Sequence, residues 1–234
     1  MIQEAIILAG GLGTRLQKMV SSSPKSMALI NGKPFLEYQL DFLSKNSIQQ
    51  VILSVGYKNE MIRNHFKEKY DKLKIKYAIE KEPLGTGGAT KNAFRYITGE
   101  EALVLNGDSI FNVDVRAFYS FFLKKKAKIC LALRKMDEVC RYGTVIVNKD
   151  HRIIAFKEKT DRSIGKLING GCYIINKSFY SDLVDHEKFS IEKDIFEKII
   201  DSEGFFGFES NDYFIDIGIP EDYIKAQDEF KKFQ

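Results

Sequence analysis

A chain of 234 residues, 44% of them hydrophobic, is long enough to bury a sizeable core and is predicted to form one α/β domain. Its 36 basic and 32 acidic residues nearly balance, so charge gives no reason to expect a nucleic-acid partner. The three cysteines form no Cys-x-x-Cys pair, which argues against a zinc site or disulfide framework and predicts a cytoplasmic location. No apolar run approaches the roughly 18 residues of a membrane span, so no membrane partner is expected.

Short apolar runs alternate with amphipathic stretches through the first half of the chain. The pattern predicts strands over residues 5–8, 50–54, 75–79 and 102–105, with helices over residues 34–45 and 58–69. Strands and helices in alternation predict a Rossmann-like, mostly parallel sheet flanked by helices on both faces. Ligands of such sheets bind at the carboxyl ends of the strands.

The second half of the chain changes character, because its strand candidates follow one another without intervening helices. These candidates cover residues 128–133, 143–147, 152–156 and 168–175. They predict a small antiparallel extension that forms the far side of a cleft. We therefore expect a single domain over residues 1–234, with one lobe over about 1–110 and a second over about 111–234.

The first predicted strand runs into Gly10, Gly11 and Gly13, and the cations Arg15 and Lys25 follow. Glycines let the main chain approach an anion closely, so backbone N–H groups can surround phosphate oxygens while the cations neutralise their charge. The spacing does not fit a dinucleotide fingerprint, which would need another glycine in place of leucine at position 16. It also does not fit a P-loop, because no Gly-Lys pair is followed by Ser or Thr. The loop is therefore predicted to hold a nucleotide in some other way.

Residues 10–16 and the later Pro24-Lys25 pair match the pattern Gly-Gly-x-Gly-Thr-Arg-Leu followed by Pro-Lys. This pattern resembles the signature of the sugar nucleotidyltransferase family, whose members join a nucleoside triphosphate to a sugar 1-phosphate and release pyrophosphate. The resemblance implies catalytic roles for Arg15 on the departing pyrophosphate and for Lys25 on the α-phosphate. It implies nucleotide-binding roles for Leu8, Ala9, Gly10, Gly11, Gly13, Thr14, Arg15 and Lys25.

A second motif, Asn106-Gly107-Asp108, directly follows a predicted strand. A carboxylate at the carboxyl end of a parallel strand can hold Mg²⁺, although from this triplet alone Asp108 could equally cap a turn. Residues 214–223 resemble the family stretch Asp-Ile-Gly-Thr-Pro-Glu-Asp, with Ile219 in place of Thr. The resemblance implies that Asp108 and Asp216 are catalytic metal ligands, that Mg²⁺ is the cofactor, and that Asn106 contacts the nucleotide.

The stretch from Glu80 to Gly88 is rich in glycine and leads from the third predicted strand into a helix. Guanine offers neighbouring N1–H and N2–H donors that one carboxylate can accept, whereas uracil and thymine offer a single N–H between carbonyls. The stretch also resembles the Glu-x-Glu-Pro-Leu-Gly-Thr of mannose 1-phosphate guanylyltransferases. It predicts Glu80 as the base reader, with Gly85 and Thr86 also on the nucleotide. Glu82 is the alternative reader, and two solvated loop charges are the third option.

Three short motifs resemble the part of the family that binds the sugar phosphate. They are a Tyr-Gly pair at 142–143, a Glu-Lys pair at 158–159 and an Asn-x-Gly-x-Tyr stretch at 169–173, and the segment 190–194 is a further familiar stretch. The resemblance places Lys159 on the sugar phosphate, Glu158 and Asn169 on sugar hydroxyls, and the backbone of Gly143 against the sugar. The implied sugar-phosphate-binding residues are Gly143, Glu158, Lys159, Asn169 and Glu192.

The resemblance implies a single in-line displacement at the α-phosphorus of GTP. Within the family, the sequence most resembles small bacterial enzymes that transfer guanylyl groups to D-glycero-α-D-manno-heptose 1-phosphate for surface polysaccharides. Mannose 1-phosphate as acceptor, or a pyrimidine nucleotide as donor, remains an alternative. The chain has no Asp-x-Asp, which disfavours a metal-dependent glycosyltransferase, and it keeps both cations and both aspartates, which disfavours a noncatalytic sensor. The sequence leaves both a monomer and a homodimer open.

Overall fold

The computed structural model describes residues 1–11, 23–137, 139, 141–158, 164–200 and 202–233. The helices among them are α1 (Phe35–Lys45), α2 (Asn59–Phe66), α3 (Gly85–Phe94), α4 (Val115–Lys124), α5 (Lys177–Asp182) and α6 (Pro220–Glu229), with a π-helical turn at Glu192–Phe196. The strands are β1 (Glu4–Leu8), β2 (Leu29–Ile30), β3 (Lys33–Pro34), β4 (Gln50–Val55), β5 (Lys69–Tyr70), β6 (Leu73–Ile79), β7 (Glu101–Asn106), β8 (Ser109–Phe111), β9 (Ile129–Lys135), β10 (Thr144–Val147), β11 (Ile153–Lys157), β12 (Leu167–Asn176), β13 (Phe205–Ser210) and β14 (Phe214–Asp216).

Four parallel strands form the centre of the main sheet, in the order β7-β1-β4-β6. The chain moves outward from β1 to β4 and β6, and then returns to place β7 on the other side of β1. The strand order therefore reverses between β1 and β7, and a reversal of this kind opens a crevice at the carboxyl ends of the two strands. The predicted Rossmann-like sheet with flanking helices is confirmed.

The second half of the chain extends the same sheet mainly with antiparallel pairs. Strand β12 is antiparallel to both β7 and β9, and the β10-β11 hairpin joins the first residues of β12. Strand β13 is parallel to β9. The pairing of β12 with β9 shifts between Asn169 and Tyr173, where Gly171 adopts a φ of 67°. This irregularity bends β12 beside the crevice.

The two faces of the sheet bury separate hydrophobic cores because successive strand side chains point to opposite sides. In β1, Ala5 and Ile7 join the core under α1, α2 and α4, while Ile6 joins the core under α3 and α5. All three side chains have no solvent exposure. The continuous apolar run that predicts β1 in the sequence therefore supplies apolar side chains to both faces of the sheet.

The second predicted helix is shorter than expected. It ends at Phe66, and the predicted continuation to residue 69 is wrong. Lys67 has a φ of 54°, a left-handed value that breaks the helix, and Lys69 pairs instead with Lys74 in an antiparallel hairpin. Within the described ranges, no helix is long and apolar enough to cross a membrane.

Candidate active site

A cavity of about 670 Å³ opens where the strand order reverses between β1 and β7. It is large enough for a nucleotide-sized ligand. Four of the predicted site residues, Gly13, Thr14, Arg15 and Lys159, lie outside the described residues. The other predicted residues all line this one cavity: Leu8, Ala9, Gly10, Gly11, Lys25, Glu80, Gly85, Thr86, Asn106, Asp108, Gly143, Glu158, Asn169, Glu192 and Asp216.

Asp108 and Asp216 are brought together by backbone pairing. Asp108 lies two residues beyond the end of β7, and Asp216 ends β14, which runs antiparallel to β8 with Asp216 opposite Ser109. The N–H of Ile217 donates to the carbonyl oxygen of Asp108 over 2.9 Å. A small core that includes Ile110 holds this two-stranded ribbon against α6. Two carboxylates that are distant in the sequence therefore share one wall of the cavity.

Lys25 forms an ion pair with Asp108 and lies near Asp216. Its Nζ is 2.5 Å from Oδ2 of Asp108, and its side chain is only 12% exposed. Gly218 donates its N–H to Oδ1 of Asp216 over 2.5 Å. A Cβ added to Gly218 would lie 2.7 Å from that Oδ1 and 3.3 Å from Lys25 Nζ. The ammonium group and both acids thus form one compact charged group, and Gly218 leaves the space that the group needs.

The donor set of this charged group suits a hard divalent cation. Mg²⁺ is usually held by one or two carboxylates together with phosphate oxygens and water. Asp108 and Asp216 provide such a pair on the cavity wall. No group of three or more His, Cys, Asp or Glu side chains in the described part of the chain could hold a metal ion.

Glu80 forms one end of the cavity. Its Oε1 accepts a hydrogen bond from Ser54 Oγ over 3.1 Å, and its Oε2 accepts one from the N–H of Leu84 over 3.2 Å. A Cβ on Gly10 would lie 2.4 Å from Oε1, so a side chain at this position would push the carboxylate out of its present place. Glu82 is exposed and is not part of the cavity wall. Of the two glutamates considered from the sequence, Glu80 is the one at the cavity.

Asn169 and Gly143 lie at the other end, where β12 bends. The N–H of Asn169 donates to the carbonyl of Gly143 over 2.8 Å, and Asn169 Nδ2 donates to the hydroxyl oxygen of Tyr173 over 3.0 Å. Burial, followed by the charges of Glu192 and Glu158, raises the pKa of Tyr173, so its phenol stays neutral. A Cβ on Gly143 would approach Glu158 Oε2 to 3.1 Å. This end of the cavity is therefore lined with hydrogen-bonding groups that suit a polyhydroxylated ligand.

Some wall residues were not among the predicted site residues. Tyr142 packs edge-to-face against Phe214, with ring centroids 5.6 Å apart. Burial, and after it the charge of Asp216, raises the pKa of Tyr142 to about 12. The only signal in the sequence for most of these residues was their position beside a predicted one. The wall residues outside the predicted set are Ser26, Pro83, Ala89, Gly107, Ser109, Tyr142, Gly170, Gly171, Ser190 and Phe214.

A glycine-lined cavity at a strand-order reversal, with a lysine and two aspartates on its wall, is the arrangement expected of an enzyme that transfers nucleotidyl groups. The family model described as "Nucleotidyl transferase" matches residues 4–232, and the chain belongs to that family. It is 53% identical over 230 residues to the D-glycero-alpha-D-manno-heptose 1-phosphate guanylyltransferase of Aneurinibacillus thermoaerophilus, covering 98% of this chain and 99% of that protein. It is 47% identical over 223 residues to the protein of the same name from Campylobacter jejuni, covering 94% of this chain and 96% of that protein.

Solved structures agree with this family assignment. The crystal structure of HddC from Yersinia pseudotuberculosis, which was also solved in complex with GMP-PN, superposes with a TM-score of 0.86 at 40% identity. The match covers 98% of this chain and 100% of HddC. UDP-glucose pyrophosphorylase shares the fold at 19% identity, with a TM-score of 0.85 over all of both chains.

Proposed function

We propose that the protein transfers a guanylyl group from GTP to D-glycero-α-D-manno-heptose 1-phosphate, giving GDP-heptose and pyrophosphate. One observation carries the proposal: a single cavity joins Glu80 at one end, the Lys25–Asp108–Asp216 group at its centre and Asn169 at the other end. Relatives of that name match the chain over nearly its whole length. We further propose that the product supplies surface polysaccharide synthesis.

Glu80 is proposed to read the base. Each of its carboxylate oxygens already accepts one hydrogen bond, from Ser54 or from Leu84. Because a carboxylate offers about four acceptor positions, the described residues leave one position open on each oxygen. Two adjacent acceptors match the N1–H and N2–H donors of guanine. Uracil and thymine would place a carbonyl oxygen against one of them.

The reaction needs positioning and charge neutralisation more than proton transfer. The phosphate of a sugar 1-phosphate is already ionised near neutral pH, so it can attack the α-phosphorus without a general base. Lys25 would neutralise the α-phosphate as negative charge develops there. Arg15 on the departing pyrophosphate and Lys159 on the sugar phosphate complete the proposed set of cations.

Mg²⁺ is the proposed cofactor, held by Asp108 and Asp216. When bound, it would supply positive charge that neutralises the triphosphate and makes the α-phosphorus more electrophilic. The two carboxylates would contribute the protein's share of its ligands. Their side chains are oriented by the β8-β14 ribbon and by the N–H of Gly218.

We propose that residues 1–234 form one domain whose two lobes bind different substrates. Residues up to about 110 would hold the nucleotide, and residues from about 111 onward would hold the sugar phosphate. Gly143, Glu158, Asn169 and Glu192 are the proposed contacts to the sugar phosphate in the described part of this second lobe.

Pyrophosphate release tests the proposal. GTP, ATP, CTP, UTP and dTTP are each supplied with Mg²⁺ and either D-glycero-α-D-manno-heptose 1-phosphate or mannose 1-phosphate, and Lys25→Met serves as the background control. The expected result is turnover with GTP and the heptose phosphate. Turnover restricted to UTP or dTTP would refute guanylyl transfer, and equal or better use of mannose 1-phosphate would refute the acceptor. Mannose is the second candidate acceptor because the Mycobacterium tuberculosis mannose-1-phosphate guanylyltransferase is 30% identical over 227 residues.

A further inference from the structure

The hydroxyl of Thr86 is directed at Glu192, an expected sugar-phosphate contact, although Thr86 lies in the first turn of α3, which is expected to hold the nucleotide. Thr86 Oγ1 donates to Oε2 of Glu192 over 2.7 Å. The same oxygen accepts a hydrogen bond from the N–H of Ile191 over 3.0 Å. A hydroxyl has a single proton to donate, so the donor of Thr86 is fully used by Glu192.

A second hydroxyl fixes the same carboxylate oxygen. Ser190 Oγ donates to Glu192 Oε2 over 2.7 Å, and Ser190 Oγ itself accepts the N–H of Lys193 over 3.3 Å. Two short bonds to an ionised oxygen set the orientation of the whole carboxylate group. Glu192 lines the cavity, and its other oxygen, Oε1, accepts no hydrogen bond within the ranges that the structure describes. This second oxygen is the one that can meet a substrate.

Backbone bonds, in addition to these hydroxyls, hold the first turn of α3 against the segment over residues 187–191. The N–H groups of Gly87 and Gly88 donate to the carbonyl of Phe189 over 2.9 and 3.3 Å, and the N–H of Phe189 donates to the carbonyl of Leu84 over 3.0 Å. The approach is so close that a Cβ on Gly88 would lie 1.9 Å from the carbonyl oxygen of Glu187. These backbone bonds set the spacing of the two segments, and the Thr86 hydroxyl adds the bond from the Ile191 N–H and the bond that orients the Glu192 side chain.

We infer that Thr86 and Ser190 are positioning residues that aim Glu192 Oε1 at a hydroxyl of the sugar 1-phosphate. This inference rests on the proposed function, because it assigns one contact within the same cavity. It moves Thr86 from nucleotide binding to acceptor binding. Removing the Thr86 hydroxyl should therefore weaken the use of the sugar 1-phosphate and leave the use of GTP almost unchanged.

The test compares Thr86→Val, which keeps the branched shape and loses the hydroxyl, with Thr86→Ser, which keeps the hydroxyl. We expect Thr86→Val to raise the KM for the sugar 1-phosphate by about tenfold, the size of one lost hydrogen bond to a charged group, and to change the KM for GTP by less than about twofold. Thr86→Ser should stay near the wild-type values, and Ser190→Ala should behave like Thr86→Val. A raised KM for GTP with an unchanged sugar KM would overturn the inference, as would variants that leave both constants unchanged.

Direct binding separates this inference from the proposed function. The Kd of heptose 1-phosphate and of mannose 1-phosphate is measured by isothermal titration calorimetry on the wild-type protein and on the same variants. A wild-type protein that binds a sugar 1-phosphate but releases no pyrophosphate would count against the proposed function alone. A Kd that Thr86→Val and Ser190→Ala leave unchanged would count against the inference alone. Circular dichroism shows whether Thr86→Val or Ser190→Ala fails to fold. If one of them does, the Kd of the other variant tests the inference.

Discussion

Replacing Glu80 by glutamine is expected to shift nucleotide preference away from GTP. In the wild-type protein, Glu80 accepts hydrogen bonds from Ser54 and from the backbone N–H of Leu84. A backbone N–H can only donate, so the amide oxygen of glutamine must face Leu84. The amide nitrogen then faces Ser54, whose hydroxyl oxygen can accept from it. The cavity would therefore meet the base with one acceptor and one donor instead of two acceptors.

The size of the effect follows from this change of groups. Guanine would lose one hydrogen bond to a charged acceptor and would face a donor in its place. A hydrogen bond of this kind contributes about 1.5–3 kcal/mol, which corresponds to about a 10- to 150-fold lower kcat/KM for GTP. Uracil and thymine present an N–H beside a carbonyl, so the acceptor and donor of glutamine match them. Their kcat/KM should stay constant or rise.

The assay is initial-rate pyrophosphate release by Glu80→Gln with GTP, UTP and dTTP at saturating sugar 1-phosphate. Glu82→Gln is the matched control, since the same charge is removed from an exposed residue two positions away that is not part of the cavity wall. The control should keep the wild-type preference. The reasoning is refuted if Glu80→Gln keeps the full preference for GTP, or if Glu82→Gln is the variant that loses it.

Three further changes test other parts of the structure. Lys25→Met removes the ammonium 2.5 Å from Asp108. We expect kcat to fall by roughly 100-fold or more, with a smaller change in the KM for GTP. An unchanged kcat would contradict the role of Lys25 in neutralising the α-phosphate. Leu103→Ala empties a fully buried position in β7, and urea unfolding should show a loss of about 2–5 kcal/mol, whereas a loss below about 1 kcal/mol would contradict the assigned packing. Burial and then Asp216 raise the pKa of Tyr142 to about 12, so the folded protein keeps the phenolic proton to higher pH than the unfolded chain does. The contribution of Tyr142 to the free energy of unfolding should therefore fall as pH rises from about 10 to about 12. Urea unfolding of Tyr142→Phe should show a smaller fall over this range. Identical pH profiles for the wild-type protein and the variant would contradict the raised pKa of Tyr142.

The parallel half of the fold could be predicted because its hydrophobic pattern is local. The short apolar run of β1 and the apolar residues at helical spacing in α1 are visible within short windows of sequence. Strand β13, Phe205–Ser210, was not predicted. A glycine at position 207 weakens its strand pattern, and its parallel pairing with β9 depends on contacts that are remote in sequence.

The candidate site shows the same division between local and remote information. Asp108 and Asp216 were recognisable from motifs, but their convergence depends on the pairing of β8 with β14. The sequence pattern could not show whether Glu80 or Glu82 faces the cavity, because side chains two residues apart point to the same side of an extended chain. The hydrogen bond from Thr86 to Glu192 joins residues 106 positions apart, and no sequence pattern near either residue indicates that the two side chains meet.

A competition experiment tests the central claim most directly. The protein is given equimolar GTP, ATP, CTP, UTP and dTTP with Mg²⁺ and equal amounts of D-glycero-α-D-manno-heptose 1-phosphate and mannose 1-phosphate, and the nucleotide sugars formed are identified by mass spectrometry. GDP-heptose is predicted to be the dominant product. A dominant product that carries another nucleotide, or GDP-mannose in its place, would contradict guanylyl transfer to the heptose phosphate.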